Sequence, residues 1–181
     1  QGKIRAFGVS FNDHNPGSAL KLVASGLVDS VQVIYNIFDQ NPEDELFPAC
    51  REMKVAVIAR VPFDEGTLTG TLTNESKWPE GDWRNNYFSP ENLIPSVERA
   101  ESIKQVLGAW NQERSTHILM PELALRFILS NQDVTTIIPG MRKRHHVESN
   151  IAASDEGPLP SELIKQLRQF RWVRKPAPWS D

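Results

Sequence analysis

The chain has 181 residues, 39% of them hydrophobic and 24% charged, which is enough for one domain with a true core. A formal net charge of −3 argues against a general nucleic-acid or membrane binder, which is usually basic. No apolar stretch approaches the roughly 18 residues of a membrane span, and no signal-peptide pattern opens the chain. The single cysteine, Cys50, excludes an internal disulfide framework and fits a reducing cytoplasm. A start at Gln1 instead of methionine hints that something precedes it.

One grammar repeats along the chain. Ile4 to Ser10 reads as a strand, and Asn15-Pro16 offers an N-cap and a first-turn proline for a helix to about Leu27. Val31 to Tyr35 is a second β-branched run. Pro42-Glu43-Asp44-Glu45 opens a second helix with acidic residues where the helix dipole favours them, and Leu46, Phe47, Ala49, Cys50 and Met53 supply its buried stripe. Val55 to Ala59 is the third strand. The connection over residues 60–89, rich in Gly, Thr, Asn, Trp and Asp, is unusually long, and loops of that length in compact domains are functional or mobile. Two helices follow, one begun by Ser89-Pro90-Glu91 and one begun by Pro121-Glu122 and running from Leu123 to Leu129. Val134 to Ile138 is the fourth strand, Lys143 to Ala153 a helix, and Ser161 to Trp172 a last helix.

Near-continuous apolar strands alternating with helices indicate a parallel sheet covered by helices. Four strands leave two architectures open, a doubly wound sheet complete in itself and half of an eight-stranded (β/α) barrel. Both put function at the C-terminal ends of the strands. The fourth strand stops at Pro139-Gly140 and is followed by five potentially cationic side chains, Arg142 to His146. A solvated first helical turn is the plain reading, but the positive end of the helix dipole disfavours cations there. Arginine in that place makes better sense if an anion such as a phosphate binds between it and the backbone N–H groups.

Five phrases, GKIRAFGVS, VDSVQVIYNIFDQ, VAVIARVPFDEGTLTG, MPELALRFIL and VTTIIPGMRKRHHVESNIAA, together resemble the aldo-keto reductases, in that family's order, over about residues 2–155. The resemblance implies an α/β fold, the second half (strands five to eight) of a (β/α)8 TIM barrel, with residues 1–181 forming the C-terminal half of the domain. It implies NADPH as cofactor and a small-molecule aldehyde or ketone as substrate, reduced by hydride transfer. Carried over, Ser10, Asn12 and Gln32 would hydrogen-bond the nicotinamide carboxamide, although the family often has Ser-Asn where this chain has Ser10-Phe11-Asn12. Gln32 also reads as a satisfied polar residue inside a barrel. Arg60 stands where many members stack a tyrosine under the nicotinamide ring, a role that a planar guanidinium can take. Pro62, Phe63, Gly66 and Leu68 belong to a loop, Pro62 to Gly70, that would fold over the pyrophosphate. Gly140 and Arg142 would lie at the adenosine 2′-phosphate, His146 at the adenine and ribose edge, and Asn150 at the adenine amino group. Ser149 stands where the family often has a glutamate. Lys143, Arg144 and His145 are read as solvent-facing.

The resemblance assigns the proton-donating tyrosine, its lysine and aspartate and an orienting histidine to the first half of the barrel. No catalytic residue is therefore assigned here. The chain is expected to be inactive alone and to need the N-terminal half of the same barrel as its partner. Two alternatives are a non-catalytic NADPH-binding module and a half-barrel that closes its strand edges by self-association. Val31, Val33, Val57 and Ile137 are expected to line the barrel interior. Tyr35, Asp39 and His14 form no recognisable acid-base constellation, and His117 reads as surface or cap. Trp78, Trp83 and Trp110 read as helix packing or as the rim of the site. No metal-ligand spacing is present, and neither nucleic acid nor membrane is expected as a partner.

Overall fold

Each of the four apolar runs becomes a strand of one parallel sheet in a computed structural model that describes residues 2–11 and 15–173. The strands are β1 (Gly8–Ser10), β2 (Ser30–Ile34), β3 (Ala56–Arg60) and β4 (Thr136–Ile137), paired in the order β1-β2-β3-β4. Parallel neighbours need crossover connections, and helices supply them. A 3-10 turn Pro16–Ala19 and α1 (Leu20–Ala24) follow β1, and a 3-10 turn Asn41–Glu43 and α2 (Leu46–Met53) follow β2. Between β3 and β4 lie a 3-10 segment Asp64–Thr69, α3 (Arg84–Tyr87), α4 (Pro90–Arg114) and α5 (Met120–Leu129). After β4 come α6 (Arg144–Asp155) and α7 (Ser161–Arg168).

Several boundaries move for local reasons. The first strand shrinks to three residues, and Ile4 and Phe7 ahead of it are exposed. Asn15 does cap, its side chain accepting from the Gly17 N–H at 3.1 Å, but the helix it starts ends at Ala24, two residues before Gly26 turns to φ +68°. Met53 is exposed, not part of the buried stripe, since α2 ends there and Lys54 takes the left-handed conformation.

Register decides what each face of the sheet carries. Val9, Val31 and Val57 align, as do Val33, Ala59 and Ile137; Ser10, Gln32, Ile58 and Thr136 align on the opposite face, with Ile34 beside Arg60. The valine face packs on the helices, against Phe47 and Cys50 of α2, Leu107 of α4, Leu123 and Phe127 of α5, and Leu163 and Leu167 of α7. Val31, Val33, Val57 and Ile137 are thus helix-facing and do not line a barrel interior; strand alternation places them opposite Ser10 and Gln32.

The expectation of strands five to eight is also corrected. Four parallel strands paired in sequential order are consistent with the N-terminal half of a barrel, not the C-terminal half. The physical reason is that a βα repeat packs alike at every station around a barrel, so the phrases, and no geometric feature, had carried that numbering. No helix among the described residues is long and apolar enough to cross a membrane.

The 60–89 connection and the start of α4 build a second, smaller core of Tyr87, Phe88, Leu93 and Val97, with Leu72 and Trp78 packed on it. Trp78 stacks on Phe88 at 4.8 Å, and Tyr87 meets Phe88 and Trp83 edge-on. Trp78 and Trp83 therefore serve this cluster, whereas Trp110 is buried in the main core.

Candidate functional site

Three groups of residues gather at the C-terminal ends of the strands. The first lies on the open face. Ser10 and Gln32 are cross-strand partners, and the Gln32 amide donates to the Ser10 hydroxyl at 3.1 Å. Arg60, on the same face two residues beyond Ile58, reaches across β2 to donate to the Phe11 carbonyl at 2.9 Å. The set offers hydroxyl, carboxamide and guanidinium side by side, and a ligand carboxamide needs just such a donor and acceptor pair beside a flat support. Asn12 and His14 lie outside the described residues. Thr136 shares this face and has no counterpart among the sequence expectations; strand parity was its available signal.

The second group is the loop after β3. Val61 (φ 56°), Asp64 (φ 47°), Glu65 (φ 54°) and Gly66 (φ 118°) all take left-handed backbone. For a β-branched valine that conformation is a true outlier, of order 1–3 kcal/mol, and such strain concentrates at functional loops. The Gly66 and Leu68 N–H groups both donate to the Phe63 carbonyl, and the Thr69 hydroxyl donates to the Gly66 carbonyl at 2.6 Å, so the turn is tightly closed. Of the expected cofactor contacts, Pro62 and Leu68 are buried, Leu68 completely and within the main core. Leu68 can therefore offer a ligand its backbone only. Phe63 and Gly66 keep partial exposure.

The third group surrounds the start of α6. Gly140 and Arg142 are exposed; Asn150 donates to the Gly140 carbonyl at 3.4 Å and helps line a cavity of about 110 Å³ with Thr136, Pro139 and Ser154. The His146 ring is 4.2 Å from that of His145, and partial desolvation, with electrostatic contributions from the neighbouring His145, Lys143 and Arg142, holds its pKa below the usual histidine value. Lys143, Arg144 and His145 face solvent, and Arg144 pairs with Glu148 one turn on. The expected run of cations at a helix start is thus present in three dimensions.

Acid-base candidates have other employment. Tyr35 donates to Glu43 at 2.5 Å and accepts from Asn131 at 3.0 Å, and burial pushes its pKa far above the ordinary tyrosine range. The Asp39 carboxylate accepts from the Asn36 amide, whose oxygen in turn caps the Phe38 and Asp39 N–H groups. Tyr87 donates to Asp64, a pairing that no sequence signal announced. His117 is exposed. Among the described residues no group of His, Cys, Asp or Glu is placed to hold a metal ion.

Comparison with known proteins agrees with this architecture. The model of the Aldo/keto reductase family matches residues 1–171. The chain is 30% identical over 155 residues, 84% of its length, to an NADH-specific methylglyoxal reductase of Escherichia coli, of which that match covers 44%. It is 28% identical to an NADP(+) aldo-keto reductase of Schizosaccharomyces pombe, over 93% of this chain and 48% of the relative. Among solved structures, a glycerol dehydrogenase from Gluconobacter oxydans superposes with a TM-score of 0.70 at 23% identity, covering 93% of this chain and 49% of that one. The holo form of an aldo-keto reductase from Bacillus halodurans gives 0.68 at 24% identity over 94% and 51%. The chain spans about half the length of the relatives it matches.

Proposed function

Because this chain belongs to the aldo/keto reductase family, we propose that it binds a nicotinamide dinucleotide across the C-terminal ends of its strands, with NADPH preferred, in the service of carbonyl reduction. The observation that carries the reading is the alignment of Ser10, Gln32 and Arg60 on the open face of three adjacent parallel strands. When bound, the cofactor supplies the hydride that reduces an aldehyde or ketone. Ser10 and Gln32 hold the carboxamide and so decide which face of the ring is presented, Arg60 supports the ring, and the backbone of the Pro62 to Gly70 loop lies along the pyrophosphate. Asn12 belongs to the same proposal. Gly140, Arg142, His146 and Asn150 take the adenosine end, with Arg142 forming forked hydrogen bonds to the 2′-phosphate.

Relatives of this chain carry names with either cofactor, NADH or NADP(+). The preference for NADPH rests on Arg142 and its cationic neighbours. Arg142→Ala should weaken NADPH by roughly 1.5–3 kcal/mol, the worth of a charge-assisted contact, and leave NADH almost unchanged. Fluorescence titration with both cofactors tests this; equal losses would remove Arg142 from the phosphate site.

Both tyrosine hydroxyls of the chain are engaged with carboxylates, Tyr35 with Glu43 and Tyr87 with Asp64. Neither is assigned as the proton donor. The 181-residue chain alone is therefore expected to bind cofactor without measurable carbonyl reduction, and the same observation favours a second reading as a non-catalytic NADPH-binding module. A cytoplasmic location fits a lone reduced cysteine buried in the core.

A further inference from the structure

We propose that the hydrogen bond between Tyr87 and Asp64 is a positioning pair that ties the left-handed loop after β3 to the aromatic cluster of the 71–89 connection and thereby sets the loop's backbone for a dinucleotide pyrophosphate. The inference rests on the cofactor reading above and adds to it a role for the side chains of Asp64 and Tyr87. Asp64 is wholly buried at φ 47°, the first of three consecutive left-handed residues, and Tyr87, 7% exposed, donates to its Oδ1 at 3.2 Å. A buried carboxylate is costly unless donors compensate it, and the Tyr87 hydroxyl is one such donor, so where it stands bears on the loop's position. The hydroxyl is held in turn by ring contacts, because Tyr87 meets Phe88 edge-on at 4.8 Å and Phe88 stacks on Trp78.

The cluster is itself braced, because Arg84 donates through Nε and Nη2 to the two Asp82 carboxylate oxygens and lies over the Trp78 ring at 5.7 Å. The chemistry suits a positioning role, not ligand contact. Carboxylates repel a pyrophosphate, and Asp64, wholly buried and bonded to Tyr87, is not placed to meet one, so its part is to hold the backbone of the turn.

The pair makes a distinctive demand on binding. The pyrophosphate is common to NADPH and NADH, so losing the tie should weaken both by the same factor, unlike the loss of Arg142. Titration of the full chain with NADPH, NADH and ADP-ribose should show Tyr87→Phe weakening all three roughly tenfold or more, the range expected for one buried hydrogen bond to a charged group. Asp64→Asn, which keeps a neutral acceptor for the tyrosine, should fall between the wild type and Tyr87→Phe. Asp64→Gly, which relieves the left-handed backbone but removes the acceptor, should bind as poorly as Tyr87→Phe. A thermal midpoint measured on each variant separates this from general destabilisation, since binding is read well below the melt. Unchanged affinity in Tyr87→Phe, or full affinity in Asp64→Gly, overturns the positioning role while leaving the cofactor site standing. Failure of the wild-type chain to bind any of the three overturns the cofactor reading and this inference with it.

Discussion

Tyr35 shows how a reactive-looking side chain can be wholly structural. Its ring is pressed edge-on to Phe47 at 4.9 Å and stacked near Phe127, and its hydroxyl joins the segment after β2 to Asn131 at the far end of α5. Glu43, its acceptor, is also gripped by Arg168 at the end of α7. Burial, reinforced by the neighbouring carboxylate, keeps the phenol protonated, so it acts as a cross-tie between three elements. Tyr35→Phe strips a donor from Glu43 and an acceptor from Asn131, and should lower stability by about 1–3 kcal/mol. Urea unfolding followed by tryptophan fluorescence checks this. NADPH affinity should be unmoved; a large loss of affinity at full stability would place Tyr35 at the cofactor.

At the scale of elements, β1 is the most exacting. Gly8 faces Ser30 of β2, and a Cβ added there would stand 2.1 Å from the Ser30 hydroxyl and 3.1 Å from its carbonyl. The hydroxyl can rotate away but the carbonyl cannot, so Gly8→Ala should push β1 from the sheet at a cost of about 1–3 kcal/mol, typical of overpacking. Adding Ser30→Ala should recover part of that loss and no more, which a double-mutant cycle in urea measures. Strand and helix identities were legible because apolar runs, prolines and caps are local signals: Pro90 and Pro121 stand in the first turns of α4 and α5 as read. What escaped was non-local. Which face of β2 meets the helices is settled by packing against α2, α4 and α5, and Val31 and Gln32 are equally plausible inward residues until that packing is known. The partnership of Asp64 and Tyr87 spans 23 residues of irregular chain and has no periodicity to betray it. The cationic stretch at α6 was readable because its five side chains are consecutive, and the strand numbering five to eight was misread because repeats carry no address.

For the molecule as a whole, the covered face of the sheet governs stability and the polar face governs the proposed binding. Cys50 sits in the covered half, 1% exposed, and burial, with Asp133 adding to it, pushes its thiol up to about 11. A folded-state pKa raised above the unfolded value near 8.5 means that the fold prefers the protonated thiol. Its contribution is fully present below about pH 8.5 and is lost as pH rises toward about 11. Maleimide should therefore label Cys50 rapidly in urea and very slowly in the native chain at pH 8; rapid native labelling would show that the α2 packing opens readily.

The longest helix joins the two cores unevenly. α4 has 25 residues, about 37 Å of helix, and its first turns bury Leu93 and Val97 in the small aromatic cluster while Ile103, Leu107 and Trp110 belong to the main core. Pro95 falls within the first stretch and, lacking an N–H, leaves the Glu91 carbonyl without its helical donor. The helix is thus a beam resting on two foundations of unequal depth, with a joint already cut near the shallower one. Stress or heat should part the molecule at that joint, letting the aromatic cluster lift away as a flap while about three-quarters of the beam stays anchored to the sheet.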